Sequence, residues 1–362
     1  MGKTTETNAS PLAIPRLTAP PLSSEPKPSL TIEQLLDRFF DSIPGDSLEE
    51  NTLATMGTHR KHMLRLLPRI LTVQALTGQD LQQYINKRAK EPTQRIRDKS
   101  VAKKKQKRVP VSATTIRKEI VTLGSAWRWA NSIDLIQRTF PNKGLRWPKT
   151  DEKPPFQTWS EIERQLELDD LTTSEAELLW DCLYLRHEET KELLTYVKNA
   201  ARYPYVFPFY AVAAYTGARR SELLRSRKSD VNFDTNVITI RERKRVRGKR
   251  TTRRVPICQK LRPILVDWLG EHPGTQWTFS VRERDGQATK VTGNKVQKQF
   301  ISTLSKSRWS VMSGWHCLRH SFISNLASAG VDQRIIDDFV GHTTEEMRRR
   351  YRHLFRKRPT NC

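Results

Sequence analysis

The decisive stretch of the sequence, residues 315–354, reads W-H-C-L-R-H-S-F-I-S-N-L-A-S-A-G-V-D-Q-R-I-I-D-D-F-V-G-H-T-T-E-E-M-R-R-R-Y-R-H-L. His316 and Arg319 are three residues apart, so a helix places both on one face. An apolar pattern of helical period follows and ends at Gly330, which we predict to terminate the helix. A second short helix is predicted from Asp332 to Val340.

Four side chains of this stretch can act on a phosphate group. They are two imidazoles, one guanidinium and one phenol: His316, His342, Arg319 and Tyr351. A guanidinium matches phosphate oxygens with its planar fork of donors, and tyrosine can serve as a covalent nucleophile. No carboxylate pair or cysteine cluster for a metal accompanies them. The combination predicts phosphoryl transfer onto a tyrosine.

The order and spacing of these motifs resemble those of the tyrosine recombinases, or phage integrases. H-C-L-R-H-S-F, A-G-V, V-G-H-T-T and R-R-Y-R-H follow one another as in that family, with Tyr351 nine residues after His342. Upstream, T-G-A-R-R-S-E-L (216–223) resembles the family's first arginine motif, which identifies Arg219 as its arginine. The resemblance implies that Arg219 and Arg319 clamp the scissile phosphate, His316 accepts a proton, His342 donates a hydrogen bond and Tyr351 attacks. We expect Glu222 to be an ionic or capping partner of Arg219.

A strand pair is predicted from Asn236 to Ile257, with a strongly basic hairpin between its ends. Residues 241–254 hold nine basic side chains and one acidic one, a net charge of +8. The resemblance implies that one lysine here protonates the leaving oxygen, and the candidates are Lys244 and Lys249. We expect Lys244, which lies 25 residues after Arg219 and next to the predicted strand. The remaining basic residues are predicted to contact DNA phosphates: Arg245, Arg247, Lys249 and Arg250.

The overall composition points to a polyanionic partner. The 362-residue chain has 64 Lys and Arg against 39 Asp and Glu, a formal charge of +25, which favours nucleic acid. The four cysteines are scattered, without a C-x-x-C pair, and are predicted to be reduced thiols. We expect no signal peptide and no membrane segment, because the longest apolar run, 204–216, is too short to cross a bilayer.

Four segments are expected along the chain. Residues 1–29 are predicted to be a disordered tail. Residues 30–145 form a helical, SAM-like unit that resembles the family's core DNA-binding domain. Residues 146–156 are an extended, proline-containing linker, and 157–362 are the catalytic domain. The predicted fold is therefore mainly α with a small antiparallel β-sheet, the two domains closing on a duplex as a clamp.

Apolar periodicity predicts the helices of both domains. They are a helix opening at Thr31, then 53–67, 77–89, 111–130, 160–168, 178–201, 203–215, 261–269 and 293–304. Between the third and fourth lies a basic segment, 95–108, with eight basic residues, one acidic residue and a net charge of +7. We predict that it contacts DNA phosphates through Lys103, Lys104, Lys105, Lys107 and Arg108.

The expected activity is site-specific recombination of double-stranded DNA through a 3′-phosphotyrosyl intermediate. The resemblance implies no metal or cofactor and four protomers on two duplexes; we expect a monomer in solution. The expected location is the bacterial cytoplasm, near the nucleoid, for a bacterial or phage protein. Two alternatives stay open at this point: a catalytically silent DNA-binding protein on the same fold, and a type IB topoisomerase.

Overall fold

A computed structural model of the chain describes residues 30–45, 47–92, 110–149, 154–168, 170–246, 249–341 and 345–356. The chain divides into two units, Met1–Asp151 and Glu152–Cys362. The predicted tail 1–29 and the whole basic segment 95–108 lie outside the described residues. Among the residues described, no helix is long and apolar enough to cross a membrane.

Helices build the described part of the first unit. They are α1 (Ile32–Asp41), α2 (Glu50–Leu66), α3 (Gly78–Ala89) and α4 (Ala113–Ser132). Thr31 and Thr77 begin α1 and α3 with reciprocal capping boxes, which satisfy amide groups that a helix start leaves without partners. Trp127 of α4 is fully buried, whereas Trp129 is partly buried, as expected for two residues on different helix faces.

The described part of the first unit buries the Glu119 carboxylate in its core. Glu119 of α4 accepts hydrogen bonds from the Tyr84 hydroxyl at 2.7 Å and the Arg88 Nε at 3.0 Å. A buried charge is costly unless it is paired and hydrogen-bonded, and both conditions are met here. The pairing joins α3 to α4.

The second unit packs its helices around one apolar helix. They are α5 (Trp159–Leu168), α6 (Thr173–Trp180), α7 (His187–Ala200), α8 (Val206–Thr216), α9 (Arg220–Leu223), α10 (Leu261–Gly270), α11 (Gly293–Leu304), α12 (His316–Ser328), α13 (Gln333–Val340) and α14 (Glu345–Arg349). Helix α8 is apolar on nearly every side and packs against α7, α10 and α12. A helix of that composition belongs in a core.

The strands among the described residues form two small antiparallel sheets. One contains β1 (Val231–Asn232), β2 (Val237–Val246) and β3 (Lys249–Pro256) in that order, and the other pairs β4 (Ser280–Arg282) with β5 (Ala288–Lys290). The ladder between β2 and β3 is regular from Val237 to Arg241 and shifts register before Arg245. The prediction of a mainly α fold with a small antiparallel sheet is confirmed.

The continuous helical stretch predicted for 178–201 is wrong. Helix α6 ends at Trp180, a turn follows at residues 181–182, and α7 does not begin until His187. Residues 182–185 are all buried, and Leu183 forms a parallel bridge with Gln157. A short apolar run buried on both faces fits an extended segment as well as a helix, so periodicity alone misassigned it.

Candidate active site

Arg319 lies at the centre of the site, on the first turns of α12, and is only 4% exposed. Its Nη1 donates to the carbonyl oxygen of Gly217 at 2.7 Å, and its Nη2 donates to the carbonyl oxygen of Val340. The side chain thereby joins the turn after α8 to the end of α13. Both of these N–H groups donate to neutral carbonyl groups and not to a carboxylate, so the positive charge of the guanidinium stays available to an anion.

Arg219 precedes α9 and is held by Glu222, as the sequence predicts. The Arg219 Nη1 donates to Glu222 Oε1 at 2.8 Å, and its backbone N–H donates to Oε2 at 2.7 Å. Arg253 of β3 binds the same carboxylate from the other side, with Nη2 2.6 Å from Oε2. Burial opposes ionisation of Glu222, but Arg253 and Arg219 outweigh it and lower the pKa of Glu222 to about 2.

Positive charge accumulates around Arg319. Burial, and then the neighbouring Arg219 and Arg253, lower the pKa of Arg319 to about 9. A bound anion would relieve this repulsion, because opposite charges within a few ångströms favour the charged form of each partner. The arrangement is therefore suited to the oxygens of a phosphate.

His316 begins α12 and is exposed. Loss of hydration against its neighbours, followed by the positive charges of Arg319, Arg219 and Arg220, lowers the pKa of His316. The imidazole is consequently neutral near pH 7 and able to accept a proton. His316 and Arg319 face the same side of the helix, as their spacing predicts.

Tyr351 is buried, with 3% of its surface exposed. Its hydroxyl lies 2.8 Å from Nδ1 of His320, and its ring stacks on Phe156 with centroids 4.7 Å apart. Burial raises the pKa of the phenol, while the nearby guanidinium groups of Arg319, Arg350 and Arg219 act in the opposite direction. The phenol therefore lies within the electrostatic field of both arginines that the motifs identify.

Several predicted site residues cannot be placed. His342 lies outside the described residues, as do Lys103, Lys104, Lys105, Lys107, Arg108 and Arg247. Only the backbone is described for Lys244, Arg245, Lys249 and Arg250. Lys244 falls in the irregular part of the ladder between Arg241 and Arg245, whereas Lys249 pairs with Val246. We expected the regular β2–β3 ladder to hold Lys244, but the ladder loses its regular register at that residue.

The structure describes the segment that leads to His342, up to Gly341. Helix α13 ends at Gly341, whose φ of +66° is a left-handed conformation that glycine adopts without strain. Two guanidinium groups bind the last carbonyl groups of α13: Arg319 at Val340, and Arg253 at Phe339 with an Nε–O distance of 2.6 Å. Cations at a helix C-terminus are stabilised by its dipole.

Comparison with known proteins agrees with this geometry. The model of the phage integrase family matches residues 184–358. The type 1 fimbriae regulatory protein FimB of Escherichia coli (strain K12) is 31% identical over 172 residues, covering 44% of this chain and 78% of FimB. The chain belongs to the phage integrase family, the tyrosine recombinases. It is a site-specific DNA recombinase.

Other relatives and solved structures are consistent with this membership. The tyrosine recombinase XerA of Pyrococcus furiosus is 30% identical to this integrase over 129 residues, 36% of this chain and 43% of XerA. A lambda integrase dimer bound to a COC′ core site aligns with a TM-score of 0.58 at 14% identity, covering 92% of this chain and 80% of that one. The Tn1549 transposon integrase in complex with transposon right end DNA aligns with a TM-score of 0.60 at 16% identity, covering 91% and 96%. These structures share the fold.

Sequence reasoning missed three residues at the site of this integrase: His320, Phe156 and Arg253. His320 directly follows Arg319 and lies four residues after His316, so the helical spacing was a signal that could have found it. Phe156 was assigned to the linker, yet it is 2% exposed and packs against Tyr351. Arg253 was counted as one of nine basic residues in the hairpin, and nothing in its immediate sequence distinguishes it.

Proposed function

We propose that this recombinase cuts and rejoins double-stranded DNA through a 3′-phosphotyrosyl bond to Tyr351. The observation that carries the proposal is the position of the phenol, which is buried near Arg319 and Arg219, so that burial raises its pKa and the two guanidinium charges offset part of that rise. Arg219 and Arg319 bind the non-bridging oxygens of the scissile phosphate and stabilise the charge that develops in the transition state. Tyr351 attacks phosphorus in line with the departing 5′-oxygen.

The proton transfers of this proposal involve three further residues. His316, neutral and exposed, is the final acceptor of the Tyr351 proton. His342 follows the end of α13 and donates a hydrogen bond to a phosphoryl oxygen. Lys244 protonates the 5′-oxygen as the P–O bond breaks, with Lys249 as the competing candidate. A 5′-hydroxyl of another strand then attacks the phosphotyrosine and reverses the step, so the reaction needs no nucleoside triphosphate.

In this proposal the guanidinium groups of Arg219 and Arg319 supply the positive charge that a divalent ion supplies in other phosphoryl-transfer enzymes, so the mechanism requires no metal. Within the part of the chain that the structure describes, no group of three or more His, Cys, Asp or Glu side chains is arranged to hold one. Because the proposed chemistry relies on guanidinium groups, cleavage in the presence of EDTA should equal cleavage in its absence. A loss restored by Mg²⁺ would contradict this mechanism.

The proposed assembly is four protomers on two duplexes, formed from monomers that associate on DNA. Structural neighbours include a lambda integrase tetramer bound to a Holliday junction, which supports this stoichiometry. The first unit, with the basic segment 95–108, and the hairpin 241–254 provide the phosphate contacts. The proposed location is the cytoplasm of a bacterium, at the nucleoid. Sedimentation of a stable tetramer without DNA would contradict the assembly.

Covalent trapping tests the function. Nicked duplexes are first selected by the wild-type protein from a random-sequence library, through recovery of SDS-resistant protein–DNA adducts. Tyr351→Phe should bind the selected duplex with unchanged affinity and form no adduct, because only the attacking oxygen is removed. Tyr196→Phe is the control, since the Tyr196 hydroxyl donates to the Thr303 carbonyl oxygen in a different part of the unit. An undiminished adduct with Tyr351→Phe would contradict the assignment.

A further inference from the structure

The contact between Tyr351 and His320 is direct and geometrically defined. The hydroxyl oxygen and Nδ1 are 2.8 Å apart, which is an ordinary hydrogen-bond length. In the imidazole tautomer with its proton on Nε2, Nδ1 is an acceptor and the phenol donates to it. His320 is thus within bonding distance of the proton that Tyr351 must lose when it attacks.

The orientation of His320 is fixed by packing. Its ring lies against Phe156 with centroids 4.1 Å apart at 31°, and the same phenyl ring stacks on Tyr351 at 4.7 Å and 23°. The guanidinium of Arg350 covers Phe156, with its central carbon 3.8 Å from the ring centroid. Phe156 therefore holds the imidazole and the phenol side by side, which limits rotation of both rings.

The exposed imidazole of His316 is a second neighbour of His320, on the side of the proposed phosphate site. The ring centroids of His316 and His320 are 6.2 Å apart, and those of His320 and Tyr351 are also 6.2 Å apart. The three rings form a series that leads from the buried phenol to the exposed end of α12. A proton received by His320 would need a bridging water to reach His316, because rings with centroids 6.2 Å apart cannot be directly hydrogen-bonded.

We propose that His320 is the group that directly accepts the hydroxyl proton of Tyr351 during DNA cleavage, in an orientation fixed by Phe156. In this step the Tyr351 Oη–P bond forms and the P–O5′ bond breaks. The phenolic proton moves to Nδ1 of His320, and the proposed lysine supplies a proton to the departing 5′-oxygen. The inference rests on the proposed function and deepens it, because it inserts an acceptor between Tyr351 and His316.

The test lowers the pKa of the phenol and measures whether this restores adduct formation in a variant that lacks the proposed base. A fluorinated tyrosine is incorporated at position 351, and the rate of adduct formation is measured on the duplexes that the wild-type protein selected. His320→Leu should slow adduct formation about 10²–10⁴-fold with ordinary tyrosine, the usual contribution of a general base. With fluorotyrosine most of that loss should disappear, because the proton leaves without help.

Two further variants separate a chemical role from a structural one. His320→Asn offers an acceptor of similar reach that cannot take up a proton, so it should bind DNA normally, cleave slowly and be rescued by fluorotyrosine. His353→Leu is the matched control, because the His353 Nε2 is 3.0 Å from the Phe156 carbonyl oxygen and so contacts the backbone of the same residue. Fluorotyrosine should bring it no specific gain.

The outcomes are distinct. Wild-type rates for both His320 variants, or a loss that fluorotyrosine does not restore in either, would overturn the inference and leave the proposed function standing. Absence of any adduct with the wild-type protein would overturn the proposed function itself, and this inference with it. If Phe156 fixes the geometry, Phe156→Leu should slow cleavage and Phe156→Tyr should largely retain it; equal rates would contradict the positioning role.

Discussion

Arg253 and Glu222 form a buried ion pair, with Nη2 and Oε2 2.6 Å apart and side chains that are 6% and 3% exposed. The pair joins β3 of the basic hairpin to the helix that Arg219 begins. Arg253 extends the connection, because it also lies 3.3 Å from Glu242 and donates to the last turn of α13. The hairpin, the first arginine and the segment before His342 are thus fixed to one another by a single guanidinium.

Removing Arg253 should damage both stability and cleavage. Arg253→Met leaves the Glu222 carboxylate without its buried partner, and breaking such a pair costs about 3–5 kcal/mol of the free energy of unfolding. Cleavage should fall more than DNA binding, because Glu222 then holds Arg219 less firmly. Urea unfolding and adduct formation measure the two effects. Arg254→Met, at the exposed neighbouring position, should change stability little; equal losses in both variants would contradict the role of the pair.

Glu222 should make the stability of the second unit depend on acid pH. Its pKa is lowered from 4.5 to about 2 in the folded chain, so its contribution is complete above pH 4.5 and is lost as pH falls toward 2. A shift of this size corresponds to roughly 3 kcal/mol. Urea unfolding at several pH values should show the wild-type advantage over Glu222→Gln shrinking through this window. An advantage that stays constant from pH 7 to pH 2 would disprove the shift.

Gly217 should not tolerate a side chain. Its φ is +61°, and a Cβ would lie 2.6 Å from Cδ1 of Phe322, while its carbonyl oxygen holds Arg319. Gly217→Ala should therefore lower thermal stability, and it should slow cleavage by displacing Arg319. Gly270→Ala is the control, because a Cβ there meets nothing within 4 Å and the backbone is not in the left-handed region. A fully active Gly217→Ala protein would show that the position of Arg319 does not depend on this turn.

The general acid can be identified with DNA that carries sulfur at the 5′-bridging position. Sulfur leaves without a proton, so loss of the acid is harmless on that substrate. Lys244→Ala should cleave ordinary DNA poorly and the sulfur-substituted DNA nearly normally, while Lys249→Ala should slow both to a similar degree. The opposite pattern would exchange the two assignments, and Lys249, which is paired with Val246 in the ladder, is a realistic competitor.

DNA affinity should depend strongly on salt. With about 6–10 phosphate contacts, affinity falls by ~10³–10⁵ between roughly 50 and 200 mM salt. Replacing Lys103, Lys104 and Lys105 by Gln should reduce the logarithmic slope by about 0.9 for each phosphate that the variant no longer neutralises, measured by fluorescence anisotropy. An unchanged slope would place the DNA-binding surface of the first unit elsewhere.

The sequence predicted the parts of this molecule that are local. The spacing of His316 and Arg319 predicted their shared helix, and the end of α13 at Val340 was correctly predicted, because both depend on residues within one or two turns. The partner of Arg219 was found for the same reason, since Glu222 lies three residues away. The family motifs supplied the remaining site residues, whose roles stay predictions.

Contacts between distant segments could not be predicted in this way. Phe156 is 195 residues from Tyr351 and lies in a proline-containing stretch that composition marks as a linker. Arg253 carries the same charge as its neighbours, and only burial distinguishes it. The non-helical run at 182–185 has no periodicity of its own that would separate it from the adjoining helices. Each of these features depends on tertiary packing, which residue spacing does not encode.

The position of Phe156 determines where the two halves of this enzyme can be exchanged with those of relatives. Trp147 is still packed in the first unit, under the guanidinium of Arg117 at 4.8 Å, whereas Phe156 already packs against Tyr351 in the second unit. Chimeras joined between 148 and 153 keep both anchors with their own neighbours. A junction at 157 would retain every family motif and yet take the ring beneath Tyr351 from a foreign chain, so new DNA specificities are better grafted upstream of it.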